Sequence, residues 1–136
     1  MTNTHIALLG YIGLFLLILL ILAGLRTMLT LKGDKKANSF APTGEDAGVF
    51  SQKLVRVHAN MYEFFPVYGG VLLYAIATGQ MAVTNSLALI FLGARVLQVL
   101  THLVSTSVMA VQVRFFFFLV QFFIAGFWLL KFFGVL

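Results

Sequence analysis

Cysteine is absent from this sequence, which excludes disulfides, thiolate metal sites and any nucleophilic or redox thiol of the protein's own. If thiol chemistry takes place here, a ligand brings the thiol. Charge is nearly as scarce: only 10% of the 136 residues are charged, and of these four are acidic. With 61% hydrophobic residues and a mean hydropathy of +1.03, the composition lies far outside that of a soluble domain. It indicates an integral membrane protein. The length leaves room for about four spans of roughly 20 residues each, and none for a second domain. Stability must come from helix packing, including packing between copies of the chain.

A net charge of +5 and a pI near 9.9 raise the question of nucleic acid. Most of the basic residues, however, fall in one loop between apolar spans, a placement that speaks of topology. No nucleic-acid partner is expected. The N-terminal apolar run from Ile6 to Leu25 carries no charge, is too long for the core of a signal peptide and lacks a basic start. It reads as a span.

The pattern predicts four helices, over about residues 5–29, 50–78, 83–105 and 108–133, as an all-α four-transmembrane-helix bundle. A basic loop covers about residues 30–49, where Pro, Gly, Asn and acidic residues predict partial order only. Short turns make helices 2, 3 and 4 antiparallel neighbours. Arg26, Lys32, Lys35, Lys36 and Lys53 flank or occupy the first loop, and the helix 2–3 connection has no basic residue. The positive-inside rule then puts the first loop in the cytoplasm and both termini on the opposite side. The run FFFFLVQFF in helix 4 predicts a lipid- or subunit-facing surface, and the pair Gly69–Gly70 a close helix contact.

Polar side chains inside a span cost ~2.5–3.5 kcal/mol each on insertion scales, so each needs a partner or a purpose. On helix 2, Arg56, Asn60 and Glu63 stand at i, i+4 and i+7, within a ~60° arc. On helix 3, Arg95, Gln98 and His102 share one face, and helix 4 adds Arg114 and Gln121. At ~1.5 Å per residue all of these fall in the cytoplasmic half of a ~30 Å hydrocarbon core. The purely structural alternative is that Glu63 neutralises Arg56 or Arg95 while Asn60, Gln98 and His102 bridge helices by hydrogen bonds; it accounts for one arginine, because Arg56, Arg95 and Arg114 face a single carboxylate, Glu63. Arginine does not lose its proton in a protein, so two positive charges call for an anion. The pocket matches an anionic ligand with one cationic group, the latter for Glu63. Pro66 frees the carbonyl of Tyr62 and is expected to bend helix 2 beyond the stripe. His58 points about half a turn away from the stripe, with no second ligand at metal spacing, and reads as a subunit-contact or interfacial residue. No metal site is expected.

The stretch RVHANMYEFFP resembles the signature of the superfamily of membrane-associated proteins in eicosanoid and glutathione metabolism, which includes microsomal glutathione transferases. Its helix-2 pattern, R-x-x-x-N-x-x-E followed shortly by Pro, matches Arg56, Asn60, Glu63 and Pro66. The resemblance implies a homotrimer of four-helix bundles binding glutathione between protomers near the cytoplasmic side, with Arg56, Asn60 and Glu63 holding its polar ends. It places Lys53 and His58 where some members have ligand contacts, and Arg26 where relatives carry a basic residue near the ligand. On helix 3, relatives often show His or Tyr three residues after the Arg and Tyr four after that; here the set is Arg95, Gln98 and His102. The arginine credited with stabilising the glutathione thiolate follows the helix-3 Arg by fewer than the nineteen residues that separate Arg95 from Arg114. Arg114 is the candidate for that role and Arg26 the alternative.

The resemblance therefore implies an enzyme in which the thiolate of bound glutathione attacks a lipophilic electrophile or reduces a lipid hydroperoxide arriving from the membrane. The rival reading is a non-catalytic membrane protein that binds an anionic lipid, a small molecule or a partner helix in the same pocket.

Overall fold

Helix α1 (Asn3–Leu31) begins where Thr2 adopts extended backbone and His5 Nδ1 accepts the Thr2 amide N–H at 3.2 Å. That contact satisfies a donor the helix cannot. The helix stops at Gly33, whose φ of +78° lets the Asp34 N–H reach back to the Leu29 carbonyl at 3.1 Å. Helices α2 (Val49–Ala77), α3 (Met81–Val104) and α4 (Val108–Phe132) complete the chain, and the computed structural model describes all of residues 1–136. All four lie within a few residues of the predicted ranges. The turn after α2 repeats the first stop: Gly79, at φ +69°, allows the Gln80 N–H to bond the Ala75 carbonyl at 2.8 Å. Pro66 does not end α2, which continues eleven residues further to Ala77.

Three of the helices, α1, α3 and α4, are long and apolar enough to cross a membrane. Helix α2 is as long as α1 at 29 residues, but its polar stripe dilutes its hydropathy. Helix α3 is central and packs against the other three. At one end of the bundle the Thr4 hydroxyl lies 2.7 Å from both the Thr84 hydroxyl and Asn85 Oδ1. The N-termini of α1 and α3 are thereby on the same side, and α2 runs back toward that side from the far end of α1.

Trp128, Phe91, Tyr68 and Tyr11 fill the middle of the core, with Phe91 edge-on to Tyr68 at 5.0 Å and tilted against Trp128 at 5.1 Å. In a bilayer such packing, rather than exclusion of water, holds helices together. Gly10 makes room for α3: a Cβ there would come within 2.6 Å of the Leu92 side chain. Of the Gly69–Gly70 pair, Gly69 is buried with Phe65 of its own helix nearest to it, and Gly70 is exposed and meets nothing. Phe115, Phe116, Phe122 and Phe123 all face outward, as the aromatic run predicts.

The first loop has more structure than its composition suggests. Phe40 packs between the Arg26 guanidinium and the Lys35 ammonium, each 5.5 Å from its ring centre. Asp46, in a short 3-10 turn (Glu45–Ala47), accepts from Lys35 and from the Ala41 N–H. The Lys35 hydrogen bond, then that of Ala41, holds the Asp46 carboxyl below its ordinary value of 3.8. A depressed carboxylate contributes stability in full above the unfolded value and loses it as pH falls through the lower folded one. Peptic cleavage at Phe40 should therefore accelerate in that acid window relative to Asp46→Asn, whose loop is loosened at every pH. A rate ratio that stays flat with pH would remove Asp46 as the clasp.

Candidate functional site

The spacing of polar residues along α2, α3 and α4 leads to one place. A cavity of about 300 Å³ is lined by Arg56, Val57, Ala59, Asn60 and Glu63 from α2, Gln98, Val99 and His102 from α3, and Arg114 from α4. Helical periodicity brings the α2 set to one wall, since i, i+4 and i+7 share a face. The Ser105–Ser107 turn sets the opposite wall. Ser107 caps α4 by accepting from the Ala110 N–H at 3.2 Å, so the helix starts at once and Arg114 stands two turns into it. Arg95, nine residues before the end of α3, lies ~14 Å from that end and Arg114 ~9 Å from the start of α4, comparable depths despite their separation in sequence.

Arg56 and Glu63 are exposed and Arg114 is partly so. The only ion pair in the chain joins Lys35 to Asp46, so no arginine neutralises Glu63. Two guanidinium groups and one unpaired carboxylate face the same space, a wall of donors with a single anionic acceptor. His102 adds an imidazole.

Gln98 lines the cavity with its amide already engaged. Its oxygen accepts from Gln121 Nε2 at 3.0 Å and its nitrogen donates to the Arg114 carbonyl at 3.2 Å. Gln121, fully buried, also donates to the Phe117 carbonyl at 2.9 Å. This chain of amides clamps α4 to α3 and holds the backbone of Arg114 at the wall.

The remaining sequence-predicted residues lie elsewhere. Arg95 sits behind the wall, 1% exposed, and donates to Asn60 Oδ1 at 2.7 Å. Its guanidinium carbon lies 5.2 Å from the ring centre of Tyr11 and 5.6 Å from those of Phe64 and Tyr68. Lys53 reaches the Leu103 carbonyl at 3.4 Å, at the end of α3. His58 faces α1, its ring 5.1 Å from that of Phe15. Arg26 lines a separate cavity of about 440 Å³ with Thr27, Thr30 and Phe40. No three of the His, Asp and Glu residues converge as a metal site would require.

The aromatic cage of Arg95 is invisible to sequence periodicity, because Tyr11 comes from a helix with no polar stripe. A third, wholly apolar cavity of about 200 Å³ lies between α1 and α2, walled by Ile12, Phe15, Leu16, Tyr62, Phe65 and Pro66. It opens on the side of α2 that faces α1, away from the face that carries Asn60 and Glu63.

The family model for MAPEG matches residues 6–134, nearly the whole chain. No curated protein and no solved structure matches it.

Proposed function

Because the chain belongs to the MAPEG family, the membrane-associated proteins in eicosanoid and glutathione metabolism, we propose that it is a glutathione-dependent membrane enzyme, a transferase or peroxidase. The observation that carries this reading is the donor-rich cavity with one free carboxylate. Glutathione has two carboxylates, an ammonium group and a thiol. Arg56 and Asn60 suit the carboxylates, Glu63 suits the ammonium, and Arg114 suits the thiolate. In the transferase reaction the sulfur lone pair forms a bond to an electrophilic carbon as the leaving group departs with its electron pair. The thiol proton passes to water. With a hydroperoxide the thiolate attacks the terminal oxygen as the O–O bond breaks and the alkoxide leaves as the alcohol; a second glutathione thiol then displaces the hydroxyl of the sulfenic acid as water, giving the disulfide.

The lipophilic substrate reaches such a site through lipid.

The register of the helices supports four crossings. Since α1 and α3 start at one level, α2 must return through the same thickness, and its 29 residues span ~43 Å. Exposed Arg56 and Glu63 within that crossing would meet lipid at substantial cost. A neighbouring copy covering this face of α2 relieves it, in keeping with a homotrimer. The basic first loop faces the cytoplasm in this arrangement and both termini face away.

Detergent-purified protein should be stabilised against heat by glutathione, and should then conjugate a generic aryl halide or reduce a lipid hydroperoxide. Stabilisation without turnover of either would favour a non-catalytic binder, a reading to which Gln98 lends weight because its amide is committed to α4. Absence of stabilisation would remove glutathione as the ligand.

A further inference from the structure

Arg95 is a buried cation without a carboxylate partner. Three aromatic faces surround its guanidinium, and its hydrogen bond goes to Asn60 Oδ1. An ion so placed is expensive unless its position serves something. The bond has a direction that chemistry dictates. Guanidinium has donors and no acceptor, so only the oxygen of an amide can face it. The Asn60 side chain is thereby turned one way, and its nitrogen is left for the cavity that Asn60 lines.

We propose that Arg95 is a positioning residue: held in its aromatic cage, it fixes the Asn60 amide so that the cavity presents an N–H donor there, and the bound ligand must supply an acceptor oxygen at that point. This rests on the glutathione reading above, which gives Asn60 an acceptor group, and adds the residue that enforces the choice: with Arg95 in place, Asn60 has no oxygen free for the ammonium. The polarity of the site then has two unlike ends. Asn60 and the two lining arginines read acceptors, and Glu63, about one turn further along α2, reads the donor.

The test has two arms. In the first, Asn60→Asp and Asn60→Ala are compared with the unchanged protein by thermal denaturation in detergent without ligand. A carboxylate oxygen at the Oδ1 position gives Arg95 a counter-ion, so Asn60→Asp should raise Tm while Asn60→Ala lowers it. A fall in Asn60→Asp as large as in Asn60→Ala would overturn the amide orientation. In the second arm, glutathione affinity is measured for Arg95→Met and Arg95→Lys, with and without Asn60→Ala. Arg95→Met frees the amide and should weaken binding about tenfold, the equivalent of one good hydrogen bond. Arg95→Lys, which also only donates, should restore most of the loss. Once Asn60 is alanine, Arg95→Met should cost nothing further. Additive losses would mean that Arg95 acts through its charge alone, and failure of lysine to rescue would mean that packing is its role; either overturns the proposal. The second arm rests on the glutathione reading and the first does not. Unchanged protein that ignores glutathione therefore sinks that reading, while the Tm order still decides the orientation of Asn60.

Discussion

In Arg114→Ala the ultraviolet absorbance of enzyme-bound glutathione thiolate should vanish near neutral pH, whereas Arg26→Ala should keep it. A free thiol with a pKa of about 8.5 is only roughly 3% ionised at pH 7. One arginine in a partly desolvated pocket lowers such a pKa by about one to three units, each worth ~1.4 kcal/mol of preference for the anion. A shift of about two units raises the ionised share to roughly three quarters. Removing the guanidinium returns it to a few per cent. Turnover should fall less than the absorbance, because a thiolate of lower pKa is also a poorer nucleophile, recovering about half the difference in logarithmic terms. The rate loss should amount to about tenfold below pH 6, vanish at about pH 7.5 and invert above it, where the free thiol ionises unaided and is the better nucleophile. Arg114 is favoured over Arg26 because it shares a cavity with Arg56, Asn60 and Glu63, while Arg26 stacks on Phe40 in another. The reverse outcome, with absorbance lost in Arg26→Ala alone, would place the helix-1 arginine of a neighbouring copy at the sulfur.

The helices were legible because apolar runs and glycine stops mark their ends, as Gly33 and Gly79 do. The α2 wall was legible for a related reason: residues of one helix at i, i+4 and i+7 share a face whatever the tertiary structure. The polar stripe that reveals the site is also what lowers the hydropathy of α2 below that of its three neighbours. Contacts between helices were less open to inference. Arg95, Gln98 and His102 share a face of α3, yet only the latter two line the cavity, because Asn60 and the cage of Tyr11, Phe64 and Tyr68 take Arg95 out of it. Gln98 is bound by Gln121, a residue whose periodic relation to Arg114 gave no sign of a clamp across to α3. The Gly10–Leu92 approach was missed for the same reason, since a lone glycine in an apolar helix carries no signal of its neighbour. Lys53, three residues before Arg56, is engaged by the Leu103 carbonyl, and His58, two residues from both Arg56 and Asn60, points to Phe15. At 100° per residue, closeness in sequence means divergence around the helix.

Glu63 decides whether the cavity recognises a zwitterionic end or merely an anion. Glu63→Gln should weaken glutathione binding by roughly 10- to 150-fold, the loss expected for a charge-assisted hydrogen bond of about 1.5–3 kcal/mol. Screening is limited here, since Glu63 stands well inside α2, although its exposure in the single chain argues for the lower part of that range unless a second copy covers it. Net positive charge would act in the opposite sense: deleting the only carboxylate among Arg56, Arg114 and Arg95 should strengthen attraction for any simple anion. The two effects separate with a glutathione analogue that has lost its amino group. Against unchanged protein the analogue should bind weakly, having no ammonium for Glu63 and a carboxylate too many beside it. Against Glu63→Gln it should bind as well as or better than glutathione itself. Equal losses for glutathione and the deaminated analogue in Glu63→Gln would show that the carboxylate supports the fold of α2 and does not read the ammonium. The inverted preference requires a direct pairing, because a purely structural glutamate has no means of distinguishing two ligands that differ by one amino group.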